Sequence, residues 1–290
     1  MIVGWLAAAA AAADPYAVVL GVAQDGGHPQ LGCTRSCCAP SRGRHLPASL
    51  GLVDPDTGRR WLVDASPALP EQWSRWMGAG PVTLDGVLLT HAHIGHYLGL
   101  AQLGREVMGA TGVPVYAMPR MAAFLRDNGP WSQLVDLGQI ALAPVAAGVP
   151  VTLGPFTATA WTVPHRDEFS ETVAWTIAGP RGRLLWLPDL DAWDRWDRAL
   201  PEVLAGVDVA YVDGTFFADG ELQRDMRQIP HPRVVETLAR VSSLPASERA
   251  KVRFVHLNHT NPALDPTSEA WAAVAAAGAR VAVEGEQIPL

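Results

Sequence analysis

Three of the nine histidines in this 290-residue chain, His91, His93 and His96, fall within six positions. They stand where a strand-like run, Gly86-Val87-Leu88-Leu89-Thr90, gives way to a helix expected to open near Tyr97. A strand-to-helix turn lets several imidazoles converge on one point, and neutral imidazole nitrogen suits zinc, iron, nickel or manganese. Simple exposure or helix capping would not explain their grouping at a strand end. The fold must therefore wrap a strand, a tight turn and a helix around a polar centre, and bring further ligands to it from elsewhere.

The rest of the chain supplies two series of strands. Apolar, β-branched runs at Ala17–Val22, Leu50–Val53, Trp61–Val63, Val87–Leu89 and Val113–Tyr116 are separated by Gly, Pro and Asp turn signals. After a Gly/Pro-rich stretch around Gly148 to Pro155, a second series follows at Phe156–Val163, Thr172–Ile177, Leu184–Leu187, Val207–Val212, Val252–Leu257 and Val281–Val283. Apolar residues recur at helical spacing in Tyr97–Met108, Trp193–Leu204, Pro232–Val241 and Thr267–Ala277, with Pro232 suited to a first turn. Two clusters of strands with helices between and after them predict a single-domain α/β fold, a four-layer αββα sandwich, over residues 14–290. With 49% hydrophobic and 18% charged residues, the chain can fill such a core.

The first segment, Met1 to Ala13, is apolar and alanine-rich. It reads either as the hydrophobic part of a secretion signal, although no positive residue stands near Met1, or as an N-terminal extension. The first reading places the protein in the periplasm or outside the cell, the second in the cytoplasm. No later run approaches the roughly 20 apolar residues that a membrane-spanning helix needs. A formal net charge of −7 leaves no basic footprint for nucleic acid, so a small-molecule substrate is the expected partner.

The segment Thr90-His91-Ala92-His93-Ile94-Gly95-His96 resembles the metallo-β-lactamase superfamily motif His-x-His-x-Asp-His, and later landmarks follow in order. His165 matches the isolated histidine, Asp189 the carboxylate that bridges two metals, and His259 the last ligand. Within that superfamily, Gly21 to Gln30, the cysteine cluster and Asn258-His259-Thr260-Asn261-Pro262 resemble the pyrroloquinoline-quinone biosynthesis protein B branch. The resemblance implies one or two zinc ions, with iron or manganese as alternatives: one held by His91, His93, His165 and Asp189, a second by His96, Asp189 and His259. Gly95 stands where the family places an aspartate for the second metal, which leaves that position weak, empty, or completed by Asp25 or Asp191. Asp25-Gly26-Gly27-His28 follows the first strand, and its glycines either bring Asp25 to the active site or form an ordinary turn.

The only cysteines, Cys33, Cys37 and Cys38, form one cluster, and an odd count cannot be a simple disulfide framework. They read either as small buried hydrophobes or as ligands of a structural zinc that needs a fourth donor. Residues three apart in an extended segment face opposite sides, so His256 and His259 should serve different sites. The expectation gives His256 to the cysteines and His259 to the active centre, the reverse remaining open. Asp213 reads as an acceptor for a ligand histidine or as a turn residue, and His231 as a group facing the substrate. His45 has nothing nearby to recommend it, and the tryptophan pairs Trp73/Trp76 and Trp193/Trp196 read as packing.

No Gly-x-Ser-x-Gly nucleophile motif occurs. The expected function is a metal-dependent hydrolase acting on a small ester, lactone, amide or phosphodiester, with Asp189, His96 and Asp25 as the catalytic groups. Two alternatives differ in class: iron-dependent oxidation in quinone-cofactor synthesis, and a non-catalytic carrier of a quinone-like ligand. His91→Ala is expected to lose metal relative to the unaltered protein when both are purified without added metal, as read by elemental analysis. A metal content unchanged by that substitution would rule out a centre built on this motif.

Overall fold

A computed structural model describes residues 13–77 and 83–290. Apart from Ala13, the apolar N-terminal run lies outside these. Six strands build the first sheet in chain order: β1 (Tyr16–Gly21), β2 (Ser49–Val53), β3 (Arg60–Val63), β4 (Gly86–Leu88), β5 (Val113–Ala117) and β6 (Ile140–Pro144). Seven build the second: β7 (Pro150–Leu153), β8 (Phe156–Thr162), β9 (Val173–Ala178), β10 (Arg183–Leu187), β11 (Val209–Asp213), β12 (Val252–Val255) and β13 (Arg280–Val281). The last strand, β14 (Gln287–Pro289), returns to the edge of the first sheet beside β1.

Alternation along β1 shows how the layers form. Ala17 and Val19 point into the core shared with Phe156, Ala158, Trp175 and Trp186 of the second sheet. Val18 and Leu20 point the other way, into a second core with α1 (Leu69–Trp76), α3 (Pro119–Asp127) and α4 (Trp131–Asp136). Between these in the chain lies the short α2 (Ile94–Tyr97). The helices α5 (Leu200–Ala205), α6 (Val234–Val241) and α8 (Glu269–Ala276) send Leu200, Leu204, Val234, Val241, Ala270 and Val274 into the core of the second sheet. The helix α7 (Ala246–Arg249) is a surface turn with no buried residue. Sheet faces thus alternate with period two, and helices cover both sides, as the four-layer reading requires. No helix among the described residues is long and apolar enough to cross a membrane.

All four expected helices differ in their bounds, two of them for a clear backbone reason. The continuous helix expected over Tyr97–Met108 is α2 followed by a tighter 3₁₀ stretch, Leu98–Leu103. There Gly99 donates its N–H to the Ala65 carbonyl at 2.9 Å, and an added Cβ would stand 2.2 Å from the Ser66 carbonyl oxygen. Docking against the turn after β3 therefore replaces the regular helical bond. The expected helix Trp193–Leu204 divides into a 3₁₀ turn at Trp193–Arg195 and α5, because Pro201 has no N–H and fits only a first turn. Pro232 precedes α6, which opens at Val234.

β3, β4 and β5 run parallel, as do β10, β11 and β12. The residues at or just beyond the carboxyl ends of these strands include Asp64 (β3), His91 (β4), Asp189 (β10), Asp213 (β11) and His256 (β12). Open α/β sheets present polar chemistry at such ends, where backbone leaves the ladder and side chains are free to converge. The two sheets are fastened next to this edge by Trp175, fully buried, whose Nε1 donates to the Leu89 carbonyl at 3.1 Å.

Trp175→Ala is expected to lower unfolding free energy by about 3–5 kcal/mol, the usual cost of deleting a buried aromatic ring. Trp175→Phe keeps most of the packing but leaves the Leu89 carbonyl unpaired, at about 1–3 kcal/mol. Denaturant unfolding midpoints of the two variants check this order.

Candidate metal centre

The centre forms where the turn after β4 meets the loops after β1, β8, β10 and β12. His91 and His96 are buried, and His93 precedes α2 as its N-terminal flanking residue. His91 Nε2 lies 2.9 Å from His93 Nδ1, which lies 3.3 Å from His165 Nε2. Donors held at 2.0–2.1 Å around a tetrahedral ion stand roughly 3.3 Å apart, so these three nitrogens have the spacing of a metal-ligand face. Asp189 Oδ1 joins them, 3.5 Å from His165 Nε2.

The other oxygen of Asp189 belongs to a second group. Asp189 Oδ2 is 3.2 Å from His96 Nε2 and 3.5 Å from His256 Nε2. Asp25 Oδ1 is 3.4 Å from His96 Nε2 and 3.6 Å from His256 Nε2. Among the described residues, these four buried atoms have no conventional hydrogen-bond partner. Buried polar atoms without partners are costly, and two carboxylate oxygens that each stand 3.2–3.6 Å from the same two imidazole nitrogens fit a shared cation.

The opposite nitrogen of each histidine is held in place, the arrangement that fixes tautomer and ring orientation at metal sites. His91 Nδ1 meets Thr90 Oγ1 at 3.0 Å, and His93 Nε2 meets Glu168 at 3.1 Å. His165 Nδ1 meets Asp191 at 3.1 Å, His96 Nδ1 meets Asp64 at 2.9 Å, and His256 Nδ1 meets Thr215 Oγ1 at 3.1 Å. Burial works against charge on Asp189, but His256, His96 and His91 outweigh it and hold its carboxyl well below the usual range. Burial likewise disfavours the His96 imidazolium, yet Asp64 and Asp189 outweigh it and raise its pKa well above the ordinary value. His91 goes the other way, pushed well below its ordinary value by burial and by the charge of His96.

Several sequence expectations change here. His256, not His259, faces the centre, and His259 groups with Cys33, Cys37 and Cys38, with one donor atom from each within 4.8 Å of the others. The two histidines do face different sites, but alternation alone cannot say which is which. β12 ends at Val255, and His256 takes a left-handed φ of +65°, which departs from the extended geometry the expectation assumed. Gly95 is no gap in the donor set: an added Cβ would lie 1.9 Å from Asp25 Oδ1, so the Asp25 carboxylate occupies the space a side chain at 95 would enter. Asp191 is engaged with His165 and Arg195 instead. Asp213 holds His231 rather than a histidine of either donor group, with Nδ1 and Oδ2 2.7 Å apart. His45 pairs by backbone with His28, and His28 Nε2 lies 2.6 Å from the Cys37 carbonyl oxygen.

Asp64 is the residue the sequence reading missed. It is fully buried with φ +62° and accepts from Thr90 and His96. An acid closing an apolar strand, as at Leu62-Val63-Asp64, was its one available signal, the same that marks Asp189 and Asp213. A cleft of about 860 Å³ opens beside the centre, lined by Arg166, Arg224, Gln24, Gln30, Asn258 and His231.

Comparison with known proteins agrees with the fold. The family described as Beta-lactamase superfamily domain matches residues 59–283. Coenzyme PQQ synthesis protein B of Methylorubrum extorquens (strain PA1) is 30% identical over 311 residues, covering 95% of this chain and 100% of that protein. Its counterpart in Xanthomonas campestris pv. campestris (strain B100) is 29% identical over 305 residues, covering 94% and 99%. Among solved structures, Zn(2+)-bound PqqB from Methylobacterium extorquens superposes with a TM-score of 0.78 at 24% identity, covering 95% of this chain and 100% of that one. A diphosphatase from the PhnP family gives 0.69 at 20% identity, covering 95% and 97%. The chain therefore belongs to the beta-lactamase superfamily, among the coenzyme PQQ synthesis B proteins.

Proposed function

We propose that this protein is a two-metal hydrolase that acts on a small polar molecule in the making of a quinone coenzyme. One observation carries the reading: Asp25 Oδ1, His96 Nε2, Asp189 Oδ2 and His256 Nε2 are buried, mutually facing and without other partners. Together with the His91, His93 and His165 face they offer two adjacent positions that share Asp189. Zinc fits the imidazole and carboxylate donors, and the zinc-bound relative supports that choice. Cys33, Cys37, Cys38 and His259 are a soft donor set suited to a further, structural zinc, with Cys33 Sγ and Cys37 Sγ 4.0 Å apart.

Bound in the two positions, divalent metal lowers the pKa of water toward neutrality and polarises the group under attack. The protein's own contribution is placement. Asp189 and Asp25 present carboxylate oxygens at the centre, and Asp64 and Asp191 fix the rings of His96 and His165. His231 stands at the boundary between centre and cleft, its Nδ1 held by Asp213. Burial disfavours its charged form, but Asp213 outweighs this and raises its pKa. That suits His231 to deliver a proton to a leaving atom from its other nitrogen. Arg166 and Arg224, with the amides of Gln24, Gln30 and Asn258, give the cleft donors for carboxylate or phosphate groups on the substrate.

One observation favours a second reading. The relatives are named for synthesis of a quinone coenzyme, and quinone formation removes electrons, which dioxygen would accept at a histidine/carboxylate site holding ferrous iron. Metal identity separates the two: iron retained by the purified protein, with no turnover of esters, lactones, amides or phosphodiesters, would replace hydrolysis by oxidation.

Two outcomes follow. Gly95→Asp is expected to displace Asp25 and weaken the second ion at least tenfold, while Gly95→Asp combined with Asp25→Gly recovers it; metal titration checks both. Recovery failing in a folded double variant would mean that Asp25 does not supply the missing carboxylate. His231→Gln is expected to lower kcat by about 10²–10⁴, the usual scale for a lost proton donor, with metal content unchanged. Loss of an ion in that variant would make His231 a ligand instead.

A further inference from the structure

Two stretches of chain run between the cysteine group and the second metal position. Residues 22–28 and 256–259 are tied side by side. Leu257 donates its N–H to the Val22 carbonyl at 2.9 Å, Gln24 donates to the Leu257 carbonyl at 2.8 Å, and Asn258 Nδ2 donates to the Gln24 side-chain oxygen. The first stretch places Asp25 against His96 and His256 and, three residues later, His28 against the Cys37 carbonyl. The second places His256 at the same centre and, three residues later, His259 among the cysteines. Each stretch therefore has one end in the second position; the other end of 256–259 supplies a donor to the cysteine group, and that of 22–28 touches it through His28.

Both stretches lie outside regular elements and take their shape from neighbours: Ala23 and His28 bond to residues 45–48, and Asn258 to Thr215. Asp25 and His28 are joined by Gly26-Gly27, with Gly27 at φ +68°, and glycine pairs leave the backbone unusually free. His256 holds a left-handed φ of +65°, a conformation that persists where surrounding structure enforces it. By contrast, His91 and His93 follow β4 and His165 follows β8, and none of them shares a stretch with the cysteines.

Resting on the two-position reading above, we propose that an ion held by Cys33, Cys37, Cys38 and His259 is a positioning element for the active centre. It anchors the far end of 256–259 directly and bears on that of 22–28 through His28 at the Cys37 carbonyl, and so helps to set where Asp25 and His256 stand. The coupling is one-sided: it acts on the position of Asp25, His96 and His256 and leaves that of His91, His93 and His165 alone.

Cobalt(II) titration of the metal-stripped full chain tests this, because thiolate-to-cobalt charge-transfer absorption reports the cysteine group and visible bands report the histidine positions. The unaltered protein is expected to take one thiolate-bound ion and two histidine-bound ions. His259→Ala should lose or weaken the thiolate-bound ion and bind the second histidine-bound ion at least tenfold more weakly, with the first unchanged. His259→Cys, which restores a fourth soft ligand, should recover both. Asn258→Ala removes the amide tie but no ligand, and should weaken the second ion severalfold while the charge-transfer band stays. His259→Ala that loses the thiolate-bound ion yet keeps both histidine-bound ions at full affinity overturns the proposal. If circular dichroism shows that His259→Ala does not fold, Asn258→Ala decides, and unchanged affinity there overturns it. An unaltered protein that takes a single histidine-bound ion fails differently: it removes the two-position reading itself, and the proposal with it.

Discussion

The Asp189 carboxylate is the interaction around which the rest of the site is arranged. It is almost completely buried, with one oxygen toward His165 and the other toward His96 and His256. A carboxylate in such surroundings is costly unless cationic or hydrogen-bonding groups face it. The fold meets that demand by ending β4, β10 and β12 at one edge, so that histidines from both sheets reach the same point. Further acids outside the donor groups, Asp64 and Asp191, then hold the rings that face Asp189, and Asp213 does the same for His231. Acid, imidazole and acid thus alternate outward from the centre, and the hydrogen bonds between them limit the penalty of burying so many polar groups.

How far this was legible in the sequence depended on the range of the interaction concerned. The strands in the middle of each sheet read correctly because burial imposes a local pattern: β2, β3, β9 and β10 are almost wholly buried. The edges did not read. β6 is apolar but only partly buried and has a single β-branched residue, β7 falls in the Gly/Pro-rich stretch read as a separator, β13 keeps only Val281 of the expected Val281–Val283, and β14 is three residues long. Helix ends were misplaced where a tertiary contact replaced a helical bond, as at Gly99, or where a proline rule was overlooked, as at Pro201.

The donor set divided in the same way. His91, His93 and His96 announce themselves by spacing, and Asp189 by its place after a strand. Asp25 was one of two acids named for the Gly95 position, and choosing it over Asp191 needed the fold, because residues 25 and 95 lie 70 positions apart and meet only when β1 and β4 share a sheet. The His256 and His259 assignment turned on one dihedral angle at the end of β12, a property that no alternation pattern contains.

Replacing a motif aspartate by one from a distant loop changes more than its address. An aspartate at position 95 would ride on α2, between His93 and His96, and move with them as one piece. Asp25 instead comes from the loop after β1, on the near side of Gly26-Gly27. Its position relative to His96 is set by the packing of 22–28 against 256–259, and at the far end by the cysteine group. Ligand distance is therefore a property of tertiary structure here, where a continuous motif would make it a property of one helix. On the coupling proposed above, the second position answers to a part of the molecule that lies outside it and touches no substrate. This is why the glycine in the motif reads as a redistribution of the centre over the fold and not as the loss of a ligand.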